Sequence, residues 1–145
     1  MKHSFGVLKP DCVRRNLVNQ AFKLIRSSGL KVIFSKKLRF EPKDAEFLYF
    51  RCRNSYFFES LIKFMTSGEV VIYIVEARNG ECAINILNEI VGHTDPTKAK
   101  PGTLRSLGID VCENITHSTA DEKSFQSEVM YFLNNEEIKR LKLVL

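Results

Sequence analysis

No apolar run in the sequence is long enough to span a membrane. The longest strongly apolar run, VVIYIV at residues 70–75, is far shorter than the about 20 residues that a transmembrane helix needs. The N-terminal segment MKHSFGVLKPD also lacks the apolar core and the small-residue cleavage site of a secretory signal peptide. We therefore expect a cytoplasmic protein without a membrane partner, in which residues 70–75 form a buried strand.

Common metal and phosphate motifs are absent as well. The four cysteines lie far apart and form no C-x-x-C pair, so zinc and redox motifs are missing and reduced thiols are expected. Neither G-x-x-x-x-G-K-S/T nor G-x-G-x-x-G occurs, which excludes a P-loop site and a Rossmann site. Any bound phosphate must therefore be held by other charges.

The composition is typical of an ordinary globular protein. Of the 145 residues, 44% are hydrophobic and 27% are charged, and no repeat, linker or low-complexity tract divides the chain. We expect one domain over residues 1–145, large enough to bury a core without disulfides. The net charge of +5 favours anionic partners, and it does not choose among nucleotides, nucleic acids and acidic surfaces.

Hydrophobic periodicity predicts the element order β-α-β-α-α-β-α-β-α. Strands are expected at residues 3–9, 30–40 and 69–76 and around His117, the second with Leu30, Val32, Phe34, Leu38 and Phe40 on one face. Helices are expected from Pro10 to Gly29, as a hairpin over 42–68, and at 81–92 and 121–133. This order predicts an α+β sandwich of the ferredoxin type, a split β-α-β fold whose four-stranded antiparallel sheet is covered by helices. Periodicity does not give the strand order.

His117 lies where the local sequence suggests catalytic chemistry. Thr119 and Glu122 have the S/T-x-x-E spacing of a capping box, which predicts a helix N-terminus, and so free N–H donors for a phosphate, beside this histidine. A neutral imidazole can itself attack phosphorus. Glu128 follows about three helical turns later, so only the tertiary fold decides whether it reaches the ring. From local sequence alone, a plain surface role for His117 stays open.

The long loop HTDPTKAKPGTLRSLGID at residues 93–110 is a second candidate for function. Loops longer than about 12 residues in a compact domain are usually functional or disordered. This loop carries Arg105, and the first strand ends at Lys9. These two residues are the candidates for phosphate-binding charge, although a lone basic residue is most often a solvated surface charge.

Four separated blocks of sequence identify a family. With LKPDCVRRNLV, YFFESLIKFMTSGEVV, VGHTDPTKAKPGTLR and NITHS in this order, the chain resembles the nucleoside diphosphate kinase family over nearly its full length. The family signature around its histidine is N-x-x-H-G/A-S-D, and residues 114–120 have the sequence NITHSTA in its place. The resemblance implies a homo-oligomeric enzyme that moves the γ-phosphoryl group of a nucleoside triphosphate to a nucleoside diphosphate by a ping-pong mechanism, with Mg²⁺ held mainly by the phosphates.

The resemblance also implies roles for individual residues. His117 would be the phosphorylated nucleophile, Glu128 would accept a hydrogen bond from the other ring nitrogen, and Thr119 would replace a serine of the same network. Matches to residues that contact phosphate or sugar are Lys9, Tyr49, Thr94, Arg105 and, for the ribose, Asn114. Phe57 matches the aromatic residue that stacks on the base, and stacking tolerates every base.

Several positions depart from the family pattern. Asn88 stands where the family usually has a phosphate-binding arginine, and Ser55 replaces another arginine near the nucleotide cleft. Ser118 and Ala120 replace the glycine or alanine and the aspartate of the signature. Because an asparagine cannot supply a bidentate guanidinium contact, Asn88→Arg is expected to raise kcat/KM, unless Arg51 or Arg53 already fills the gap.

The sequence leaves two alternatives to the kinase, of which only the first follows from these departures. The first is a catalytically weakened nucleotide-binding or regulatory protein of the same fold. The second is a nucleic-acid module, suggested by the pI of about 9.1 and the basic-aromatic stretch YFRCRNSYFF. The RNP1 pattern of an RNA-recognition sheet is absent from that stretch, so nucleic acid is not the expected partner.

Overall fold

The computed structural model describes all 145 residues and contains four strands and seven α-helices. The strands are β1 (His3–Leu8), β2 (Lys31–Arg39), β3 (Glu69–Glu76) and β4 (Thr116–Ser118). The helices are α1 (Pro10–Arg14), α2 (Val18–Ser27), α3 (Pro42–Leu48), α4 (Phe58–Met65), α5 (Ala83–Val91), α6 (Glu122–Phe132) and α7 (Asn135–Arg140), and short 3₁₀ turns lie at Phe50–Cys52, Pro96–Lys98 and Arg105–Leu107. No helix has both the length and the apolar character needed to cross a membrane.

The four strands form one sheet in the order β2-β3-β1-β4, and every neighbouring pair is antiparallel. The predicted α+β class and antiparallel sheet are therefore confirmed. The central strands β1 and β3 are buried almost throughout, as their nearly continuous apolar sequences require. The strand that carries His117 is only three residues long and lies at one edge of the sheet.

Helices cover both faces of the sheet, and each face has its own apolar core. On the first face, which we call the α2/α5 face, buried side chains such as Phe22, Leu87 and Tyr73 pack together. On the second face, the α3/α4/α6 face, the core includes Phe5 and Phe125. Residues that alternate along β1 enter these two cores in turn, because successive side chains of a strand point to opposite faces.

Two predicted elements differ from the structure. The helix predicted from Pro10 to Gly29 is two helices, because Asn16 adopts a positive φ of 56° that ends the first one. Asparagine tolerates this left-handed conformation better than most residues. In β2 the pairing shifts between Val32 and Phe34, and such a bulge reverses the side-chain alternation. Val32 therefore packs on the α2/α5 face and Phe34 on the α3/α4/α6 face, not on one face together.

Gly6 allows a large side chain to cross the middle of the sheet. Its partner in the register is Tyr73 of β3, and a Cβ atom at position 6 would lie 2.2 Å from the Tyr73 ring carbon Cζ. Across this gap the Tyr73 hydroxyl reaches Thr116 Oγ1 at 2.9 Å. The missing side chain of Gly6 thus lets a buried tyrosine tie β3 to the strand of His117.

We predict that Gly6→Ala lowers the free energy of unfolding by about 1–3 kcal/mol, because the added methyl group overlaps the Tyr73 ring. Urea denaturation of Gly6→Ala, Tyr73→Val and the double variant checks this. The alanine should cost clearly less in the Tyr73→Val background, where the smaller side chain leaves room for it, than beside the tyrosine ring. An equal cost in both backgrounds would show that the ring contact is not what excludes a side chain at position 6.

Candidate active site

His117 lies in β4, and its side chain is held by a short chain of hydrogen bonds. Its Nε2 atom is 2.7 Å from Glu128 Oε2, and the other carboxylate oxygen, Oε1, accepts from the Thr119 hydroxyl at 2.7 Å. The side chains of His117 and Glu128 are only 18% and 9% exposed. The predicted approach of Glu128 to the ring is thus present in the fold, although the two residues lie on different elements.

These contacts decide which nitrogen of the ring is free. A carboxylate can only accept hydrogen bonds, so the proton of a neutral His117 ring resides on Nε2, the atom that faces Glu128. The Nδ1 atom then carries the lone pair. Thr119 holds the opposite side of the same carboxylate, which keeps Glu128 directed at the ring.

The predicted capping box is wrong. The N-cap residue of α6 is Asp121, whose carboxylate accepts from the Ser124 N–H at 2.8 Å. Asp121 is exposed, and its hydrogen bonds with the backbone and side chain of Ser124 lower the pKa of its carboxyl group below the usual range. Thr119 is fully buried, and its hydroxyl bonds to the buried Glu128 carboxylate and not to the N–H groups of α6. A buried carboxylate oxygen without a donor is costly, whereas exposed N–H groups do not depend on this hydroxyl. The first turn of α6 nevertheless begins within a few residues of His117, as the sequence pattern indicated.

A second cluster surrounds the side-chain amino group of Lys9, and this residue as a whole is only 3% exposed. Its Nζ donates to Asn114 Oδ1 at 2.8 Å and to the Cys112 carbonyl at 2.7 Å. The Asn114 amide in turn donates to the Thr94 carbonyl at 2.9 Å. Burial lowers the pKa of Lys9 to about 8. The structure therefore brings three of the predicted binding residues together, and one N–H of the ammonium group remains for a ligand.

Arg105 connects the long loop to the strand of His117. Its Nε and Nη2 donate to the Thr116 carbonyl at 3.3 and 3.2 Å, and Nη1 donates to the Gly92 carbonyl at 3.1 Å. The Thr94 hydroxyl lies 3.5 Å from the same Nη1. Burial lowers the pKa of this guanidinium from its usual value. The loop is thereby anchored beside the two clusters.

Tyr49 meets the histidine edge-on, with ring centroids 5.8 Å apart. Its ring also lies 5.6 Å from the Lys9 ammonium, so the tyrosine is a neighbour of both clusters. Its hydroxyl contacts the Met65 sulfur at 3.8 Å, and burial raises its pKa well above the usual value. The phenol therefore keeps its proton at neutral pH and acts as a donor rather than as a nucleophile.

Phe57 and Ser55 lie farther along the turn that precedes α4. Phe57 is half-buried and packs against the core of the α3/α4/α6 face, with its ring edge-on to the almost fully exposed Tyr56. Ser55 makes hydrogen bonds only through its backbone. Neither side chain makes a hydrogen bond or an aromatic pair with the His117 and Lys9 clusters.

The backbone before His117 is held in a strained conformation. Ile115 has a φ of 80°, which is an outlier for a β-branched residue. Its backbone N–H donates to the Asp11 carboxylate at 3.0 Å, and its carbonyl accepts from the backbone N–H of Lys9 at 2.8 Å. Asp11 is a site residue that the sequence did not indicate, since an acidic residue in the first turn of a helix is ordinarily explained by the helix dipole.

Asn88 does not have a free side chain. Its Oδ1 accepts from the Ser118 hydroxyl at 2.6 Å, and its Nδ2 donates to the Thr119 carbonyl at 3.1 Å. Two departures from the family pattern, Asn88 and Ser118, are therefore partners of each other. Asn88→Arg would break both of these hydrogen bonds on the residues after His117, so the expected rise in kcat/KM stays a prediction that must offset their loss.

A cleft of about 280 Å³ opens at His117. Its polar lining includes Arg51, Lys123, Ser124 and Glu128. A larger cleft of about 790 Å³ lies at the far ends of β2 and β3 and contains none of the site residues, so chemistry rather than size indicates the site. No group of three or more His, Cys, Asp or Glu side chains is arranged to hold a metal ion.

Comparison with known proteins gives one consistent result. The family model that matches the chain is nucleoside diphosphate kinase, over residues 2–138. The nucleoside diphosphate kinase of Sulfurisphaera tokodaii is 34% identical over 139 residues, which are 95% of this chain and 92% of that protein. The solved enzyme of Aquifex aeolicus is 29% identical, with a TM-score of 0.85, and the alignment covers 94% of this chain and 97% of that one. The Halobacterium salinarum enzyme, solved in complex with CDP, is also 29% identical, with a TM-score of 0.86 and coverage of 94% and 90%.

We predict that Thr119→Val lowers the free energy of unfolding by about 1–3 kcal/mol, because it leaves the buried Glu128 Oε1 without its donor while nearly keeping the side-chain shape. Thr119→Ser keeps the hydroxyl and should cost less. Urea denaturation of both variants at neutral pH provides the comparison. A serine variant as unstable as the valine variant would mean that the methyl packing, and not the hydrogen bond, matters here.

Proposed function

The chain belongs to the nucleoside diphosphate kinase family and is a phosphotransferase that moves the γ-phosphoryl group of a nucleoside triphosphate to a nucleoside diphosphate, and on that premise we propose that His117 carries the group. The observation that supports this role is the hydrogen-bond chain from Thr119 through Glu128 to Nε2. It leaves Nδ1 as the nitrogen with a lone pair, in a ring that can reach the cleft.

In the first half-reaction, the Nδ1 lone pair forms a bond to the γ-phosphorus. The bond between that phosphorus and the bridging oxygen breaks, and the diphosphate leaves with the electron pair. The phosphorylated ring is cationic while Nε2 keeps its proton, and the Glu128 carboxylate at 2.7 Å offsets this charge. In the second half-reaction, a terminal oxygen of another diphosphate forms a bond to the same phosphorus. The bond between that phosphorus and Nδ1 breaks, and its electron pair returns to the ring, which restores the free histidine.

The remaining residues bind and orient the phosphates. Lys9 and Arg105 are the cations beside the site, and stabilising the charge on the transferring group is the main source of catalysis in phosphoryl transfer. The hydroxyls of Tyr49 and Thr94 are donors close to them. Asn114 would bind the ribose, and Phe57 would stack on the base, in line with the family match.

Magnesium enters this reaction with the nucleotide. The phosphates of the nucleotide would hold Mg²⁺, an ion that is usually bound through substrate phosphates with only one or two carboxylates. A relative solved with CDP supports nucleotides as substrates. On the family match we also propose one domain over residues 1–145, a homo-oligomer and a cytoplasmic location. The exposed Val144 and Leu145 of the C-terminal tail are candidate contacts between subunits.

A catalytically weakened nucleotide-binding protein is not the favoured interpretation. Such a protein would have no need of the complete chain of contacts from Thr119 to His117, which positions a nucleophile. Asn88, the main departure, has a structural role beside Ser118 and leaves the nucleophile intact.

We predict that incubation with γ-labelled ATP and Mg²⁺ produces an acid-labile label on the protein, and that adding a nucleoside diphosphate removes it as labelled triphosphate. His117→Ala should abolish both steps, because His117 is the only histidine that lines the cleft and its ring is held by the Glu128 carboxylate. His93→Gln is the matched control, since the side chain of His93 only accepts a hydrogen bond within its own loop. Label that survives in His117→Ala would rule out the proposed intermediate.

We predict that nucleoside diphosphate binding weakens as the pH rises through about 8. The pKa of Lys9 is lowered by burial from 10.5 to about 8, so the ammonium group loses its charge in this range. The phosphate, with a second pKa of about 6, is already fully ionised. By the same shift, the unfolded chain binds more protons than the folded one between about pH 8 and 10.5, so this residue makes the fold relatively more stable as the pH rises there.

Calorimetric titration of ADP between pH 7 and 9.5 tests this prediction. The Lys9→Met variant should bind more weakly at neutral pH and should lose the decline above pH 8. If the variant showed the same decline as the parent protein, a group other than Lys9 would be responsible for it.

A further inference from the structure

The site lacks two guanidinium groups that its family pattern includes. Ser55 cannot replace one, because its side chain is short and uncharged. Asn88 cannot replace the other, since both ends of its amide are already bonded to Ser118 and Thr119. Phosphates that approach His117 would therefore meet fewer cations than the family pattern provides, unless another residue supplies the charge.

Arg51 is placed to supply it. It lies in the 3₁₀ turn Phe50–Cys52 and lines the same cleft as His117. Its Nη2 donates to the Ser124 hydroxyl at 3.0 Å and lies 3.6 Å from the Asp121 carboxylate, so the guanidinium reaches from the turn to the first turn of α6. The side chain is 71% exposed, which leaves its other N–H groups accessible from the cleft.

We propose that Arg51 binds the phosphate groups of the nucleotide in this chain, in place of the guanidinium groups missing at positions 55 and 88. This inference rests on the proposed function of His117. A pair between exposed side chains such as Arg51 and Asp121 is weak, whereas a bidentate contact between a guanidinium and a phosphate is among the stronger hydrogen-bonded pairs. A phosphate that enters the cleft therefore competes successfully for Arg51. The ammonium group of Lys123, which also lines the cleft, adds positive charge there.

Arg53, the other arginine of this turn, does not have the same position. Its guanidinium stacks on the Phe50 ring at 4.0 Å, and its Nη1 donates to the Phe50 carbonyl at 3.1 Å. It is not part of the cleft lining. Arg53 is therefore a matched control, because it has the same charge and comes from the same turn.

The test compares the affinities of ADP and adenosine for the full chain and its variants. Arg51→Ala should weaken ADP binding by about 10-fold or more, the effect of a lost hydrogen bond to a charged group, and should leave adenosine binding unchanged. Arg51→Lys should restore only part of the affinity, because an ammonium group cannot make the bidentate contact. Arg53→Ala should bind ADP as the parent protein does.

A purely structural role for Arg51 gives a different result. If Arg51 only tied the turn to α6, Asp121→Asn, which removes the ion pair and keeps a side chain that can cap α6, would also weaken ADP binding. We expect Asp121→Asn to keep full ADP affinity, since it frees the guanidinium for the phosphate. Unchanged ADP affinity in Arg51→Ala, or equal losses for ADP and adenosine, would overturn the proposal.

The failure of this inference can be distinguished from failure of the proposed function. The latter would appear as missing acid-labile label on the parent protein. A labelled parent protein whose Arg51→Ala variant binds ADP normally would refute the role of Arg51 alone.

Discussion

The register of β4 against β1 is the constraint on which the site depends. Only three residue pairs join the strands, with His117 opposite Val7 and Ser118 opposite Gly6. Because successive side chains alternate between faces, His117 points to the α3/α4/α6 face, where Glu128 lies, and Ser118 points to α5, where Asn88 lies. A shift by one residue would exchange these faces and separate His117 from the Glu128 carboxylate.

Buried polar groups hold β4 in this register against β1. Lys9, Asn114, Thr119 and Glu128 are all buried, and a buried polar group without partners is costly. Their hydrogen bonds are satisfied mainly by one another and by nearby backbone carbonyls. A displacement of β4 would leave several of them unpaired at once. The same contacts maintain the left-handed conformation of Ile115, whose strain would otherwise be released.

Two departures from the family pattern, Ser118 of β4 and Asn88 of α5, are hydrogen-bonded to each other. Ser118 has a hydroxyl where the family has a small residue without one, and Asn88 has the amide that accepts it. The two substitutions thus form a contact between α5 and β4 that needs both side chains. With Asn88 at this position α5 has no cation in the contact, and the basic residues that line the cleft at His117 are Arg51 and Lys123.

The sequence by itself determined the family resemblance and the main regular elements. The pattern around His117 indicated the nucleophile, and apolar periodicity predicted β3 over residues 69–76 and α5 close to its observed bounds. Only the tertiary structure decided the strand order, the bulge at Val32 and the partners of Glu128 and Asn88. The physical reason is that periodicity reports which face of a single element is apolar. Contacts between residues as distant as Lys9 and Asn114 depend on the register and packing of several elements together.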